Sequence, residues 1–492
     1  MARICQTVTA ATMAELRRKR DAVRDADLVE LRLDGVADVD VGGALADRRL
    51  PVVVTCRAAW EGGRFDGAEE TRLALLARAV DLGAEFVDVE WRAEERRNAA
   101  IANRAGIAPR SQTRLILSHH DFSGCPEDLA SRADAMRRAA PAAIVKVAVT
   151  VSSLGDVMRL RRDTDVGDRL VIGMGTPGEV TRICPWLFGA EWTFAGDAAP
   201  GQISAAVLNR QYRVRDGSSS TRLYAITGAP LAHSASPAMH NAAFGALGID
   251  AVYVPMATAD AREFLACAEA LGVNGASVTA PLKTAWASCG VQLDEVARSA
   301  GAANTLSRSD EGWEATNFDL AGFLAPLAER VVTLHDADCV VLGAGGAARA
   351  AALALKSIGA RVRISARRPE RATALAVELG VSSTPWPPTP GWDLLVNATP
   401  AGTWPNDESP IARESLHGSR VYDLVYHPRD TRLLRWAREL GIPAIEGLEM
   451  LVAQARRQFE RWTGVEAPTE VMQTAAETFL ETHGHTYEAD IV

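Results

Sequence analysis

The chain carries 53 Lys and Arg residues, and only four of them are lysine: Lys19, Lys146, Lys283 and Lys356. Arginine keeps its proton near neutral pH. A desolvated lysine can lose it, and then serves as an amine nucleophile or a tunable proton donor. Lys19 stands in R-R-K-R and Lys356 in A-L-K-S-I-G, both solvated helix settings. Lys146 interrupts A-I-V-K-V-A-V (143–149), whose valines mark a strand buried on both faces. A charged ammonium is costly to bury there. Desolvation favours the neutral form of an interior amine and frees it to attack a carbonyl, which is Schiff-base chemistry. Taken alone, pairing with a structural Glu or Asp is the plainer reading.

The neighbouring run L-S-H-H-D-F (117–122) adds a proton shuttle. Strand alternation turns one of its two histidines inward, and parity with the lysine strand selects His120. Arg32, Arg57 and Arg182 fall at or just after strand ends and suit an anionic substrate.

A second cluster lies in V-V-L-G-A-G-G-A-A-R (340–349), which reads as strand, Gly-rich turn and helix. Gly343 permits the tight turn and Gly345 lets a pyrophosphate approach the backbone. Ala344, Gly346, Ala347 and Ala348 complete the loop and the helix N-terminus that donates to phosphate. About twenty residues on, where an NAD site carries an acidic residue, R-V-R-I-S-A-R-R ends in Arg367 and Arg368. That pair suits a ribose 2′-phosphate and so NADP(H). Without the turn, the two arginines would read as a solvated surface bend.

Elements must place these groups. Before residue 213, eight apolar segments alternate with helical ones: R-I-C-Q-T-V-T, L-V-E-L-R-L-D, P-V-V-V-T-C-R, E-F-V-D-V-E-W, R-L-I-L-S-H-H-D, A-I-V-K-V-A-V, R-L-V-I-G-M-G and E-W-T-F-A. Eight β/α units in roughly 210 residues predict a (β/α)₈ TIM barrel. Polar residues recur at i, i+2 in its strands: Glu30 with Arg32, Thr55 with Arg57, Asp88 with Glu90, Ser118 with His120. Helices pack on the outer face of a barrel, so these side chains are expected to converge inside, at the mouth. The link over 91–112 is the weakest helix.

The run R-V-R-D-G-S-S-S-T-R (213–222) is polar and without apolar period, and predicts a flexible linker at 215–221. The expected division is a barrel over 1–214, a substrate-binding αβ domain over 222–334 and a Rossmann-like domain over 335–446. C-terminal helices over 447–482 would return to the substrate domain, and 483–492 would form a disordered tail.

Composition narrows the class. The net charge of −9 argues against a general nucleic-acid binder. Seven scattered cysteines without C-x-x-C signal neither a disulfide framework nor a metal site. No signal-peptide core or membrane-length apolar run is present, so a reducing cytoplasm is expected. Oligomeric state is not legible.

Five ordered motifs, L-V-E-L-R-L-D, T-C-R-x-x-W-E-G-G, L-S-H-H-D-F, I-V-K-V-A-V and M-G-x-x-G-x-x-T-R, resemble type I 3-dehydroquinate dehydratase over roughly residues 4–213. The resemblance implies that Lys146 forms an imine with the C3 ketone of 3-dehydroquinate. His120 then removes the C2 proton and protonates the departing C1 hydroxyl, with Glu61 orienting it. Glu30, Arg32, Arg57, Arg182 and Gln202 would hold the hydroxyls and carboxylate, and Met174 and Phe194 would form apolar walls. The family carries Ser where this chain has Ala198.

A second set of motifs resembles shikimate dehydrogenase over about 222–477. It comprises G-A-P-L-A-H-S-A-S-P, A-S-V-T-A-P-L-K, G-A-A-N-T-L, T-N-F-D-L-A-G, N-A-T-P-A-G, Y-D-L-V-Y-H-P and E-G-L-E-M-L-V-A-Q. Here the resemblance implies that Lys283 exchanges the C3 oxygen proton during hydride transfer, positioned by Asp319. Ser234, Ser236, Ser277, Thr279, Asn304, Tyr426 and Gln454 would bind shikimate or 3-dehydroshikimate. Asn397, Thr399 and Gly447 would join the cofactor cleft. Two departures are Ser277, where the family has Asn, and Phe318, beside Asp319. The joint expectation is a bifunctional dehydratase–reductase of aromatic amino-acid biosynthesis. Its rivals are a catabolic quinate or shikimate dehydrogenase using NAD, and a non-enzymatic quinate sensor.

Overall fold

A computed structural model of the chain describes residues 2–92, 113–198 and 201–483. The expectations for most of the 91–112 link and for the tail after residue 483 lie outside them. The chain divides into two compact units, Met1–Tyr224 with Asp250–Val273, and Ala225–Ile249 with Asn274–Val492.

The first unit contains eight strands: β1 (Arg3–Val8), β2 (Leu28–Arg32), β3 (Val52–Thr55), β4 (Phe86–Glu90), β5 (Arg114–Asp121), β6 (Ile144–Thr150), β7 (Arg169–Met174) and β8 (Trp192–Ala195). They hydrogen-bond in the order β7-β6-β5-β4-β3-β2-β1-β8, every pair parallel. A parallel bridge between Arg169 and Ala190 joins β7 to the residues entering β8, leaving a nearly closed barrel.

Strand alternation builds its interior. Leu28, Val53, Phe86, Ile116 and Ile144 pack together on the inner face. Each stands two residues before a polar side chain of the same strand: Glu30, Thr55, Asp88, Ser118 and Lys146. The apolar layer is the floor on which the polar layer rests. Burying each such side chain stabilises the fold by roughly 1.5–3 kcal/mol.

The expected flexible linker is ordered through Gly217. Val214–Asp216 forms a 3₁₀ turn with Val214 buried, and Arg215 Nε bonds Asp27 Oδ2 at 3.0 Å. Gly217 lies under the Trp186 ring, where a Cβ would come within 2.1 Å of it. These are single long-range contacts, which leave no periodic trace in a polar run.

A mixed six-stranded sheet follows, in the order β10-β9-β11-β13-β14-β12. Its strands are β9 (Arg222–Gly228), β10 (Ala251–Ala257), β11 (Val273–Val278), β12 (Gln292–Leu293), β13 (Thr305–Ser309) and β14 (Gly312–Thr316). The last sheet is wholly parallel, in the order β17-β16-β15-β18-β19-β20. Its strands are β15 (Asp338–Leu342), β16 (Arg361–Ser365), β17 (Ser382–Ser383), β18 (Leu394–Asn397), β19 (Val421–Asp423) and β20 (Ala444–Ile445). Strand order reverses beside β15, and the Gly-rich turn emerges from that strand, the crevice where doubly wound sheets bind ligands. Helix Gly447–Thr463 packs on helix Asp319–Glu329, and helix Thr469–His483 on helix Ser236–Ala246. Among the described residues no helix is long and apolar enough to cross a membrane, and no cluster of His, Cys, Asp and Glu is placed to hold a metal ion.

Candidate active sites

The barrel residues singled out in the sequence converge on one cavity. Glu30, Arg32, Arg57, Glu61, His120, Lys146, Met174, Arg182, Phe194 and Gln202 all line it, together with Gly62, Phe122, Ala148, Ile172 and Ala198. Lys146 is buried, and its Nζ lies 2.9 Å from Asp88 Oδ2, 3.7 Å from Glu30 Oε1 and 4.2 Å above the Phe194 ring centroid. The pairing with a Glu or Asp that the strand alone suggested is present, and it holds the amine at the cavity. Asp88 is itself held at Oδ1 by Ser118 Oγ (2.6 Å) and Arg57 Nη2 (2.8 Å). Burial would raise its pKa, but the Arg57 and Lys146 cations more than reverse that and keep it well below the usual carboxylate range.

Parity placed Asp88 and Ser118 inside yet assigned them no role, because nothing local in the sequence names the partner of a strand residue 58 positions away.

His120 points into the cavity, and Glu61 Oε1 accepts from both its backbone N–H and its ring Nδ1. Burial first, then the Arg57 and Lys146 charges, hold the imidazole well below its ordinary pKa. His119 faces the other way, with Nε2 3.1 Å from Arg132 on helix Leu129–Ala139. The 3₁₀ turn Ala59–Glu61 sets Glu61, and Gly62 ends it at φ 77°. A Cβ at Gly62 would lie 2.3 Å from the Phe122 ring, so only glycine lets that ring pack over the turn.

Arg32 forks onto Asp34 at 2.8 and 2.9 Å. Arg182 stands on the short helix Glu179–Ile183, and burial lowers its pKa to about 10 against the opposing pull of Glu179. The Ala198 backbone N–H donates to Gln202 Oε1 at 2.6 Å. Four cations and several apolar side chains line a cavity suited to a small polar anion.

In the second unit Lys283 Nζ lies 2.6 Å from Asp319 Oδ2. Lys283 sits on the 3₁₀ turn Leu282–Thr284, and Asp319 opens helix Asp319–Glu329, where a helix dipole favours a carboxylate. Asn317 Oδ1 accepts the Asp319 N–H at 2.8 Å, and Phe318 between them is half-buried. Asn304 Nδ2 donates to Asp319 Oδ1 (2.8 Å) and to Gln454 Oε1 (3.1 Å). Thr279 N donates to Thr227 O, and Ser234 Oγ accepts from Ser236 N at 3.3 Å at the start of its helix. Ser277, expected as a substrate contact, is buried and donates to Gln458 Oε1 at 2.7 Å, a residue sequence reasoning missed.

Backbone freedom and space at the Gly-rich turn would fit a dinucleotide. Gly343 adopts φ 113°, and a Cβ there would meet Ala398 O at 2.8 Å. Gly345 starts helix Gly346–Ser357, whose Ala348 is buried, and a Cβ on Gly345 would meet nothing within 4 Å: the cradle is open where a phosphate would lie. A Cβ on Gly346 would lie 4.0 Å from Lys283 Cδ, so the turn that carries Ala344 faces the lysine. Ala347, Thr399 and Tyr426 line a cleft with His233, Trp404 and His427. Asn397 lies beneath that cleft, fully buried, and its Oδ1 accepts from Thr399 N and Oγ1. It shapes the cleft through Thr399. Gly447 has its own constraint, since a Cβ would come within 2.6 Å of the Leu424 backbone. Arg367 and Arg368 follow β16 and are exposed beside the turn, with Ser365 O accepting from Gly343 N at 2.8 Å.

Comparison with known proteins finds the same two enzyme families in the chain. The family described as type I 3-dehydroquinase matches residues 4–247, the shikimate dehydrogenase substrate binding domain 226–306 and the shikimate 5′-dehydrogenase C-terminal domain 447–477. A shikimate dehydrogenase (NADP(+)) of Halobacterium salinarum is 42% identical over 260 residues, 51% of this chain and 97% of that one. A solved shikimate dehydrogenase in complex with NADP+ superposes with a TM-score of 0.50 at 34% identity, over 53% of this chain and 96% of that one. The chloroplastic bifunctional 3-dehydroquinate dehydratase/shikimate dehydrogenase of Arabidopsis thaliana is 35% identical over 482 residues, 91% of this chain and 79% of that one. A match of that extent to a two-enzyme relative shows the family: the chain belongs to the bifunctional 3-dehydroquinate dehydratase/shikimate dehydrogenases.

Proposed function

We propose that the barrel dehydrates 3-dehydroquinate to 3-dehydroshikimate and that the second unit reduces this product to shikimate with NADPH. The observation that carries the reading is a lysine held against a carboxylate in each of two sites: Lys146 on Asp88, with His120 lining the same cavity, and Lys283 on Asp319.

In the barrel, Lys146 Nζ attacks the C3 carbonyl and water leaves, giving an imine held near Asp88 and Glu30. His120 Nε2 takes the C2 proton, and the electron pair is delocalised into the imine as an enamine. The enamine expels the C1 hydroxyl, which leaves as water with the proton His120 had taken. Water then hydrolyses the imine and frees Lys146. Arg57, Arg32 and Arg182 bind the carboxylate and hydroxyls, while Met174 and Phe194 keep the ring dry.

In the second unit Lys283 transfers the proton at the C3 oxygen, and Asp319 holds its ammonium in line. Asn304, Gln454, Thr279, Ser234, Ser236 and Tyr426 orient the ring. When bound, NADPH supplies the hydride. Gly343, Gly345, Gly346 and the following helix N-terminus would hold its pyrophosphate, Thr399 its near face, and Arg367 with Arg368 its 2′-phosphate. All seven cysteines are free, in keeping with a reducing compartment such as the cytoplasm.

The test is end to end. With 3-dehydroquinate and NADPH as the sole additions, the protein should consume NADPH and accumulate shikimate. Production of 3-dehydroshikimate without NADPH consumption would refute the second half of the reading, and no turnover of 3-dehydroquinate the first.

A further inference from the structure

We propose that Gln458 is a positioning residue of the reductase site, acting through Asn304 on the Asp319–Lys283 pair; this rests on reading that pair as the reacting centre. Gln458 lies on helix Gly447–Thr463 and is 1% exposed. Its Oε1 accepts from Ser277 Oγ at 2.7 Å. Its Nε2 donates to Thr305 Oγ1 at 3.0 Å and to Asn304 O at 3.2 Å. Thr305 Oγ1 then donates to Asn304 Oδ1 at 2.8 Å, and Asn304 Nδ2 donates to Asp319 Oδ1 at 2.8 Å. Asp319 Oδ2 meets Lys283 Nζ at 2.6 Å.

Every link in this chain has a direction. The Asn304 carbonyl can only accept, so Gln458 presents its amide nitrogen there and to Thr305, and its Oε1 takes the Ser277 hydroxyl. Thr305, accepting there, turns its own hydrogen to Asn304 Oδ1. The Phe318 N–H, 2.9 Å from the same Oδ1, enforces the same orientation. Asn304 is thereby obliged to present its NH₂ side to Asp319. With the amide reversed, its oxygen would face a carboxylate oxygen, and Asp319 could not hold Lys283 in line. Ser277, Thr305, Asn304 and Gln458 are all buried, so water cannot replace a missing link at no cost. Ser277 thus belongs to the positioning relay: its short hydroxyl caps Gln458.

The experiment compares Gln458→Leu and Gln458→Glu in the full chain. The glutamate keeps the shape and the acceptor for Ser277, but in its ionised form it cannot donate to Thr305 or to Asn304 O. Both variants should lower kcat for 3-dehydroshikimate reduction about ten-fold, the size expected for misaligning one charge-assisted hydrogen bond. The pH profile of kcat should shift with it. The affinity for NADP+ alone, measured by fluorescence titration, and the dehydratase rate should stay at wild-type values. Ser277→Ala should show a smaller loss of the same kind. Unchanged kcat and pH profile in both Gln458 variants would overturn the proposal. So would a fall in NADP+ affinity in step with kcat, which marks a residue that only holds the fold. A wild-type chain that does not reduce 3-dehydroshikimate would refute the reading of the site itself, and is seen before any variant is made.

Discussion

Glu61 Oε1 accepts two hydrogen bonds from one residue, the His120 backbone N–H at 2.8 Å and its ring Nδ1 at 3.0 Å. With Glu61 ionised, Nδ1 carries the hydrogen, which leaves Nε2 as the base of the proposed dehydration. Burial pushes the Glu61 pKa up to about 7, against the pull of Arg57. As pH falls through that value Glu61 is protonated and His120 loses the charge that supports an imidazolium. The kcat/KM of dehydration should therefore decline below about pH 7 although the histidine itself is still neutral. Glu61→Gln should erase that inflection and lower the rate roughly 10²-fold, the scale of general-base assistance. An inflection that survives the substitution would count against this assignment.

The same shift predicts a stability effect. The folded pKa of about 7 lies above the ordinary value of 4.5, so the folded state binds the proton more tightly. The stabilisation from the protonated carboxyl is fully present below pH 4.5 and is lost as pH rises through 7. At about 1.4 kcal/mol per unit this is about 3 kcal/mol. Glu61→Gln should raise the Tm of the barrel relative to wild type at about pH 8 and have little effect at about pH 4. Thermal unfolding at the two pH values, followed by near-UV circular dichroism, tests it.

Lys283 should serve the second reaction alone. Lys283→Ala is expected to lower NADPH oxidation with 3-dehydroshikimate by roughly 10²–10⁴-fold while dehydration continues unchanged. Steady-state assays of both steps on the same preparation decide it, and loss of both activities would contradict two independent sites.

Arg367 and Arg368 should set cofactor choice. Replacing both with alanine removes two charge-assisted contacts to a 2′-phosphate, each about 1.5–3 kcal/mol, and should raise the KM for NADPH at least ten-fold while leaving that for NADH nearly unchanged. Initial rates with the two cofactors report the ratio.

Ala198 lines the barrel cavity and offers no hydroxyl. Ala198→Ser should lower the KM for 3-dehydroquinate several-fold, in line with one neutral hydrogen bond of about 0.5–1.5 kcal/mol, with kcat changing little. An unchanged KM would mean that the loop does not bring position 198 to the substrate.

Much of this was legible in the chain. Alternation in L-V-E-L-R-L-D and A-I-V-K-V-A-V depends only on the period of a strand, so the inward polar layer could be read residue by residue, His120 against His119 included. Gly343 and Gly345 were legible because a turn followed by a helix N-terminus needs particular backbone freedom. Partners were not legible. Asp88 meets Lys146 across two strands, and Gln458 meets Ser277 across 181 positions, and no local pattern encodes either distance. The ordered linker escaped for the same reason, since Gly217 against Trp186 is one contact in a polar run. The sequence places Asn397 in the cleft, and its amide lies below it, holding Thr399 and reaching Asp423.

Lys146, as the amine that bonds the substrate, is the centre of the proposed dehydration. Incubation with 3-dehydroquinate and borohydride, followed by proteolysis and mass spectrometry, should place a reduced adduct on the peptide containing Lys146 and abolish dehydration in step with its formation. Wild-type protein that turns over substrate yet yields no adduct on Lys146, or an adduct on another lysine, would contradict it.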